Sequence, residues 1–151
     1  MRERLAFAQE LQHPNLSKDG YRVTSQRDKR YNCAAWAAGE ENTEKWWEPR
    51  KGKGYHWPNE APFNIRLGSY VKAYESVGFS ECDDGEPETG FEKIVLYQDA
   101  DGDFSHAARQ LESGKWTSKL GPQEDIEHTT AKGAEGGIYG RVAKFLKRRR
   151  L

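Results

Sequence analysis

Cys33 opens a run of small residues in the stretch RYNCAAWAAGE, at positions 30–40. Asn32 is typical of a helix N-cap, alanine is the best helix former, and Gly39 is typical of a helix end. The stretch therefore predicts a short buried helix that begins at Cys33. Backbone N–H groups and the helix dipole at such a position stabilise a thiolate, so Cys33 is a candidate nucleophile. The alternative is a core thiol, since free cysteine is among the most buried residue types.

A thiolate nucleophile is usually activated by a neighbouring imidazole. The chain has four histidines, which are His13, His56, His106 and His128. His106 is the best candidate base, because it follows a turn at the start of a predicted strand, where its ring can face a helix packed on the sheet. The alternative for His106 is a structural role in the core. His128 lies in a polar stretch, where a surface role is the simpler interpretation.

A third polar group normally fixes the tautomer of a catalytic histidine. Asp125 and Ser118 both lie on the return side of the predicted hairpin that starts near His106. We prefer Asp125, because a carboxylate stabilises an imidazolium, and we keep Ser118 as the alternative third residue. Asn32 and Gln26 precede the cysteine closely and are candidates to donate to an oxyanion.

Together these residues resemble the papain-like cysteine peptidase and amidase superfamily, with small bacterial cell-wall amidases and endopeptidases closest in length and order. The strings NCAAWAAG, GFEKIVLYQDADGDFSHAARQLESGKWTSKLG, DIEH and YGRVAKFLKR also look like a small uncharacterised bacterial domain family. The resemblance spans roughly residues 20–148. It implies a papain-like fold with Cys33 as nucleophile, His106 as base and Asp125 as the orienting residue.

Aromatic side chains are dense between the cysteine and the next predicted helix. Such residues either line a substrate groove or fill the core beneath a long loop. The candidates for the groove are Trp36, Trp47, His56 and Trp57.

Composition narrows the class of protein. The 151 residues suggest a single domain over 1–151, and five tryptophans among 12% aromatic residues indicate a folded core. The formal net charge of zero argues against a general nucleic-acid binder, which would carry a basic excess. No apolar run is long enough to cross a bilayer. The N-terminal stretch lacks the apolar segment of a secretory signal, so the expectation is a cytoplasmic protein, with delivery as an effector left open.

Cys33 and Cys82 do not make a disulfide framework, and both are expected as thiols. Cys82 lies in the acidic stretch SECDDGE, where neighbouring carboxylates raise a thiol pKa and make it inert. No pair of cysteines or histidines has the close spacing typical of a metal site, so neither a metal nor a cofactor is expected. The glycines of GAEGGIYG do not match a phosphate-binding loop.

The elements that must position these residues follow from periodicity. Helices are predicted over residues 2–11, with Leu5, Ala8 and Leu11 on one face, and over residues 65–77. EKIVLYQD predicts a buried strand, and FSHAARQLESGKWTSKLG predicts two strands around a turn, whereas QEDIEH is interpreted as a loop. The tail IYGRVAKFLKRRR has helical spacing. The predicted class is α+β and papain-like, with N-terminal helices packed on a small antiparallel β-sheet and a C-terminal helix.

The function predicted from these residues is a cysteine-dependent hydrolase that acts on an amide bond, as a peptidase, amidase or deamidase. The alternative is a non-enzymatic peptide- or protein-binding module, with a role as a toxin, effector or immunity component. In either case the expected partner is a peptide or protein bound by a monomer, without nucleic acid or membrane.

Overall fold

The apolar run at residues 94–97, Ile-Val-Leu-Tyr, lies at the centre of a sheet and is fully buried. A continuous apolar run of this length is typical of a strand that is covered on both faces. The computed structural model, which describes residues 4–150, has packed side chains on each side of this strand. The protein is a mixed α+β structure with few helices and a large antiparallel sheet, which confirms the predicted class.

Nine strands occur in the described residues. Their bounds are β1 Tyr21–Val23, β2 Trp46–Trp47, β3 Tyr55–His56, β4 Ser80–Cys82, β5 Phe91–Gln98, β6 Phe104–Gln110, β7 Trp116–Lys119, β8 Asp125–His128 and β9 Arg141–Arg149. Seven of them form one sheet in the order β1-β8-β7-β6-β5-β9-β4, and every neighbouring pair is antiparallel. Strands β2 and β3 form a separate parallel pair.

The described helices are short. Their bounds are α1 Phe7–Gln12, α2 Leu16–Asp19, α3 Cys33–Ala38 and α4 Leu67–Glu75, with 3-10 turns at Glu40–Asn42, Ala131–Ala134 and Gly137–Tyr139. Helix α3 begins at Cys33 and stops before Gly39, as its sequence predicts. Helix α4 lies within the predicted range 65–77.

Each face of the sheet carries its own apolar cluster. On one face, the buried alanines of α3 and the α4 residue Tyr74 pack with Ile94, Leu96 and Leu146. Because alanine side chains are small, α3 lies close to the strands beneath it. On the other face, the N-terminal region and the segment after β8 cover residues that include Val95 and Tyr97.

The predicted C-terminal helix is wrong, because these residues form strand β9 between β5 and β4. The helical spacing of Val142, Phe145 and Leu146 misled the prediction. Phe145 packs against one apolar cluster and Leu146 belongs to the other. A strand covered on both faces buries adjacent residues, so it does not need the alternation that marks a half-exposed strand.

Two further predictions are wrong. QEDIEH is not a loop, because Asp125–His128 forms β8 and pairs with both β7 and β1, which also makes the sheet larger than expected. Of the predicted apolar face of the first helix, only Leu5 is buried, and it lies before α1, whereas Leu11 is 65% exposed and Ala8 is exposed. Gln9 is buried instead, and its side-chain amide donates to the Glu124 carboxylate at 3.0 Å.

Between residues 4 and 150, no helix combines the length and the apolar character that crossing a bilayer requires.

Candidate active site

Asn32 holds Cys33 at the start of α3. Its Oδ1 accepts hydrogen bonds from the backbone N–H of Ala35 at 3.0 Å and of Trp47 at 3.1 Å. Its Nδ2 donates to the carbonyl oxygen of Trp47 at 3.1 Å. Asn32 is therefore the predicted N-cap and also fastens β2 to α3. This uses one of the two N–H groups of the Asn32 amide, and Asn32 also lines the cleft of Cys33, so its role as an oxyanion donor stays a prediction.

The Cys33 side chain is 9% exposed and lies against strand β6. Burial raises the pKa of its thiol to about 11, and backbone hydrogen bonds from Ala107 and Ala34 lower that pKa only in part. Cys33 is consequently a neutral thiol at pH 7, and a proton acceptor is needed to make it a nucleophile.

Cys33 lines an open cleft of about 350 Å³. Aromatic and polar side chains share the wall of the cleft with it. The other lining residues are Asn32, Trp46, Glu48, Arg50, Ile65, Tyr70, Phe104, Ser105, Gly121 and Tyr139. The cleft thus offers Cys33 an apolar and aromatic surface with one ion pair, Glu48 to Arg50 at 2.8 Å.

His106 lies on β6 and is fully buried. Its Nε2 is 2.9 Å from the hydroxyl oxygen of Ser118 on β7, and its ring stacks on Tyr139 with 3.8 Å between ring centroids. Its Nδ1 is buried and has no hydrogen-bond partner among residues 4–150. Burial above all, and then the neighbouring His128 and His13, hold the pKa of His106 well below its usual value.

The Ser118 hydroxyl oxygen also lies 2.8 Å from Nε2 of His128, and Nδ1 of His128 lies 2.8 Å from the Thr130 carbonyl oxygen. A carbonyl only accepts, so Nδ1 of His128 carries a proton. Burial lowers the pKa of His128, which leaves it neutral, with Nε2 as an acceptor. Ser118 then donates to His128 and accepts from Nε2–H of His106. This assignment leaves Nδ1 of His106 unprotonated, with a free lone pair.

Asp125 does not orient His106, contrary to our prediction. Its carboxylate accepts a hydrogen bond from the Tyr31 hydroxyl at 2.8 Å. Burial raises the pKa of Asp125, while Tyr31 and the buried Lys119 lower it in part. The reason is the added strand: Ser118 lies on β7 beside β6, whereas Asp125 lies on β8, one strand further away. Ser118, the predicted alternative, is the residue that contacts His106.

The other predicted site residues lie outside the cleft. Gln26 is exposed and does not line it. The Trp36 indole donates to Thr117 Oγ1, and Trp47 is buried with His56 stacked 4.9 Å from it. Trp57 packs on Tyr70 from behind the cleft wall. These four aromatic residues, Trp36, Trp47, His56 and Trp57, therefore support the core and the cleft wall instead of forming the groove.

Cys82 ends β4 and is half-buried. Its thiol pKa is raised, chiefly by burial and only secondarily by Asp84, while Lys93 lowers it. Within the described part of the chain, no three histidine, cysteine or acidic side chains are grouped as a metal ion would require.

Sequence reasoning missed two residues of the site, Tyr139 and His128. Both follow the predicted hairpin, which ends at Gly121, by seven residues or more, and they reach His106 only through the folded sheet. The glycines on each side of Tyr139 were the available signal, since closely spaced glycines mark a backbone that approaches other groups closely.

Residues 22–147 match the family model described as Domain of unknown function (DUF7689). The chain belongs to the DUF7689 family. The matched span of this DUF7689 domain contains Cys33, His106, Ser118, His128 and Tyr139. No curated protein and no solved structure matches the chain.

Proposed function

We propose that this DUF7689 domain is a papain-like, cysteine-dependent hydrolase of amide bonds. Cys33 is the nucleophile, His106 is the base, and Ser118 is the residue that orients the base. The observation that carries the proposal is the free lone pair on Nδ1 of His106, a buried atom without a hydrogen-bond partner in residues 4–150. A buried imidazole nitrogen without a partner is costly to maintain, and a general base needs such a nitrogen.

The proposed reaction begins with the neutral thiol. Nδ1 of His106 takes the proton from Sγ of Cys33 as the sulfur adds to the substrate carbonyl carbon, and the carbonyl π electrons move to the oxygen. Collapse of this intermediate breaks the C–N bond, and His106 returns the proton to the leaving nitrogen. Water then attacks the thioester with His106 as base, which releases the acid and restores the Cys33 thiol.

Cys33 and His106 are not hydrogen-bonded to each other in the structure, since Nδ1 has no partner among the described residues. Catalytic hydrogen bonds are often long before the substrate binds. Cys33 approaches β6 at Ala107, the residue after His106, whose backbone lowers the pKa of the thiol. Neighbouring residues of a strand point to opposite faces, so Ala107 packs with the α3 alanines while the His106 ring packs on Tyr97 and Tyr139 on the other face, contrary to the expectation that it faces the helix. The proposed proton transfer therefore requires the His106 ring and the Cys33 sulfur to move together when substrate binds. Tyr139 contacts the His106 ring and lines the Cys33 cleft, so both groups share a neighbour.

The cleft supports a peptide or protein amide as substrate. Tyr70 and Phe104 stack at 3.7 Å in its wall, and Glu48 with Arg50 supplies charges of both signs at its rim. Apolar walls with a few polar groups are typical of sites that bind neutral organic ligands. Peptidase, amidase and deamidase share this chemistry.

A non-enzymatic peptide-binding module is the second candidate. The raised pKa of Cys33 favours it, because a thiol with a pKa of about 11 is unreactive without a base. In that case the cleft binds its ligand and Cys33 only fills space.

The pH dependence of Cys33 alkylation by iodoacetamide separates the two candidates, with Cys82→Ser in every variant. If His106 is the base, the rate is constant from about pH 6.5 to 9, because the thiol stays protonated and the imidazole stays neutral across this range. In His106→Gln the alkylation rate at neutral pH is lower than in the wild type. It then increases tenfold for each pH unit up to about pH 11. A wild-type rate that already rises tenfold per unit would mean that Cys33 is a core thiol.

Two variants control this measurement. His56→Gln removes a half-buried imidazole outside the cleft and should leave the constant rate unchanged. Ser118→Ala keeps His106 but removes its orienting hydroxyl, and should lower the rate while the protein remains folded. The Ser118→Ala result keeps the test decisive if His106→Gln does not fold.

A further inference from the structure

Tyr139 differs from the other tyrosines in its hydroxyl group. The chain has seven tyrosines, and six hydroxyls make a hydrogen bond with a described residue. The seventh, that of Tyr139, has no hydrogen-bond partner within residues 4–150, although the residue is only 8% exposed. The hydroxyl oxygen itself reaches solvent, since it is neither hydrogen-bonded to a described residue nor fully buried. The free hydroxyl is therefore a donor available to a ligand.

The Tyr139 ring is fixed in place by two imidazoles. It stacks on His106 at 3.8 Å with 8° between the planes, and it contacts His13 at 4.8 Å. The same residue lines the cleft that contains Cys33. Tyr139 is thus held at the nucleophile's cleft by packing, which is the condition for a preorganised donor.

The backbone around Tyr139 is fixed as well. The Ser105 hydroxyl donates to the Tyr139 carbonyl. Gly137 and Gly140 have φ angles of 55° and 70°, and a Cβ at either position would collide with the carbonyl oxygen of Gln12 or Gln98. The glycines of GAEGGIYG therefore serve to bring Tyr139 against the sheet, a role that sequence analysis did not assign.

The other candidate donors are partly engaged or lie elsewhere. The Asn32 amide donates one of its two N–H groups to the Trp47 carbonyl while its oxygen caps α3, and Gln26 is exposed away from the cleft. The Tyr70 hydroxyl bonds to the Trp47 carbonyl at 3.4 Å. Burial keeps the pKa of Tyr139 well above its usual value, so its hydroxyl remains a donor at neutral and mildly alkaline pH.

We propose that the Tyr139 hydroxyl donates a hydrogen bond to the carbonyl oxygen of the group that Cys33 attacks, and stabilises the oxyanion. This assignment rests on the proposed function and names the side-chain donor of the same site. Tyr139 is then a catalytic residue, and the part of the substrate that it contacts is the acyl carbonyl.

A pair of reagents tests the assignment. With p-nitrophenyl acetate, Cys33 adds to the ester carbonyl, an oxyanion forms, the C–O bond breaks, and p-nitrophenolate leaves while His106 retains the thiol proton. With methyl methanethiosulfonate, Cys33 attacks a sulfur atom, methanesulfinate leaves, and no oxyanion forms at a carbonyl. Only the first reaction uses a donor at the carbonyl oxygen.

Tyr139→Phe keeps the ring that stacks on His106 and removes only the hydroxyl. We expect its acylation by p-nitrophenyl acetate to fall about 100-fold, the usual effect of one lost oxyanion donor, with the rate towards methyl methanethiosulfonate unchanged. Tyr21→Phe is the control, because the Tyr21 hydroxyl bonds to Glu10 outside the cleft. All proteins carry Cys82→Ser, and acetylation at Cys33 is verified by mass spectrometry.

Each other result overturns the assignment in a different way. If both rates fall together in Tyr139→Phe, the residue acts on Cys33 or His106 and not on the carbonyl. If neither rate falls, the hydroxyl has no role. If the wild type reacts only with the thiosulfonate, Cys33 is a reactive thiol, but the proposal that Tyr139 stabilises an oxyanion is contradicted. A folded wild type that reacts with neither reagent contradicts the proposed hydrolase itself.

Discussion

His106 and His128 meet on two sides of one hydroxyl group, with their Nε2 atoms 2.9 and 2.8 Å from the Ser118 oxygen. Because Thr130 accepts from Nδ1 of His128, the direction of every hydrogen bond in this series is fixed. The Thr130 carbonyl, just after β8, thus determines which nitrogen of His106 is free to accept a proton.

The first prediction concerns Ser118. Replacing it with alanine leaves one nitrogen of each imidazole without a partner in a buried site, so we expect Ser118→Ala to lower the free energy of unfolding by about 2–4 kcal/mol. Urea denaturation at pH 7.5 measures this change. Ser17→Ala is the matched control, since the Ser17 hydroxyl is exposed, and it should cost less than about 0.5 kcal/mol. Equal effects of the two variants would contradict the hydrogen-bond series.

The second prediction concerns acid stability. Burial lowers the pKa of His13 to about 4 and lowers those of His106 and His128, while unfolded histidine titrates near 6.5. Between these values the unfolded chain binds more protons, so the free energy of unfolding falls as the pH falls below about 6.5. His13 alone accounts for about 3 kcal/mol between pH 6.5 and 4.

His13→Phe tests this origin, because phenylalanine keeps an aromatic ring against Tyr139 but does not titrate. Between pH 7 and pH 5 the variant should lose about 2 kcal/mol less stability than the wild type, the share of His13, as measured by urea denaturation at each pH. If His13→Phe and the wild type lose the same free energy of unfolding between pH 7 and pH 5, His13 is not a source of the acid sensitivity.

The third prediction concerns Asn32, which joins α3 to β2. Asn32→Ala removes the cap and both bonds to Trp47, and should cost about 2–4 kcal/mol. Asn32→Asp keeps the acceptor for the N–H groups of Ala35 and Trp47 and should cost less. Thermal and urea denaturation of both variants measure the difference. An aspartate variant no more stable than the alanine variant would mean that the acceptor contributes little.

The fourth prediction concerns the glycines beside Tyr139. Gly137→Ala combines a positive φ of 55° with a collision against the Gln12 carbonyl, and should cost about 3 kcal/mol or more. Gly90→Ala is the control, because Gly90 also has a positive φ, 85°, but has open space at the Cβ position. It should cost about 1–2 kcal/mol. Similar losses would mean that the segment moves freely to accept a side chain.

Local signals predicted the parts of the site that depend on neighbours in sequence. The cap, the alanines and the terminal glycine predicted α3 and the position of Cys33, and the turn between β6 and β7 predicted that a residue on β7 would face His106. The choice of Asp125 over Ser118 was wrong because it rested on charge, whereas the register of β7 with β6 decides which side chain is near.

The remaining parts depend on contacts between distant residues. Strand β8 has one apolar residue, Ile126, and its other buried side chains are polar groups that hydrogen-bond to neighbouring elements. Such a strand has no apolar alternation to detect. Likewise, the basic residues of β9 resemble a helix end until their acidic partners are known, among them Glu81 for Lys144 and Glu92 for Arg148.

Strand β9 is the last of the described strands, yet it lies between β5 and β4 in the interior of the sheet. During synthesis on the ribosome, β5 therefore waits with one edge unpaired until residues 141–149 have emerged. An unpaired strand edge of apolar residues is a template for intermolecular pairing. We expect the nascent protein to be most prone to aggregate in this interval, which ends when Lys144 and Arg148 of β9 pair with Glu81 and Glu92 of the neighbouring strands.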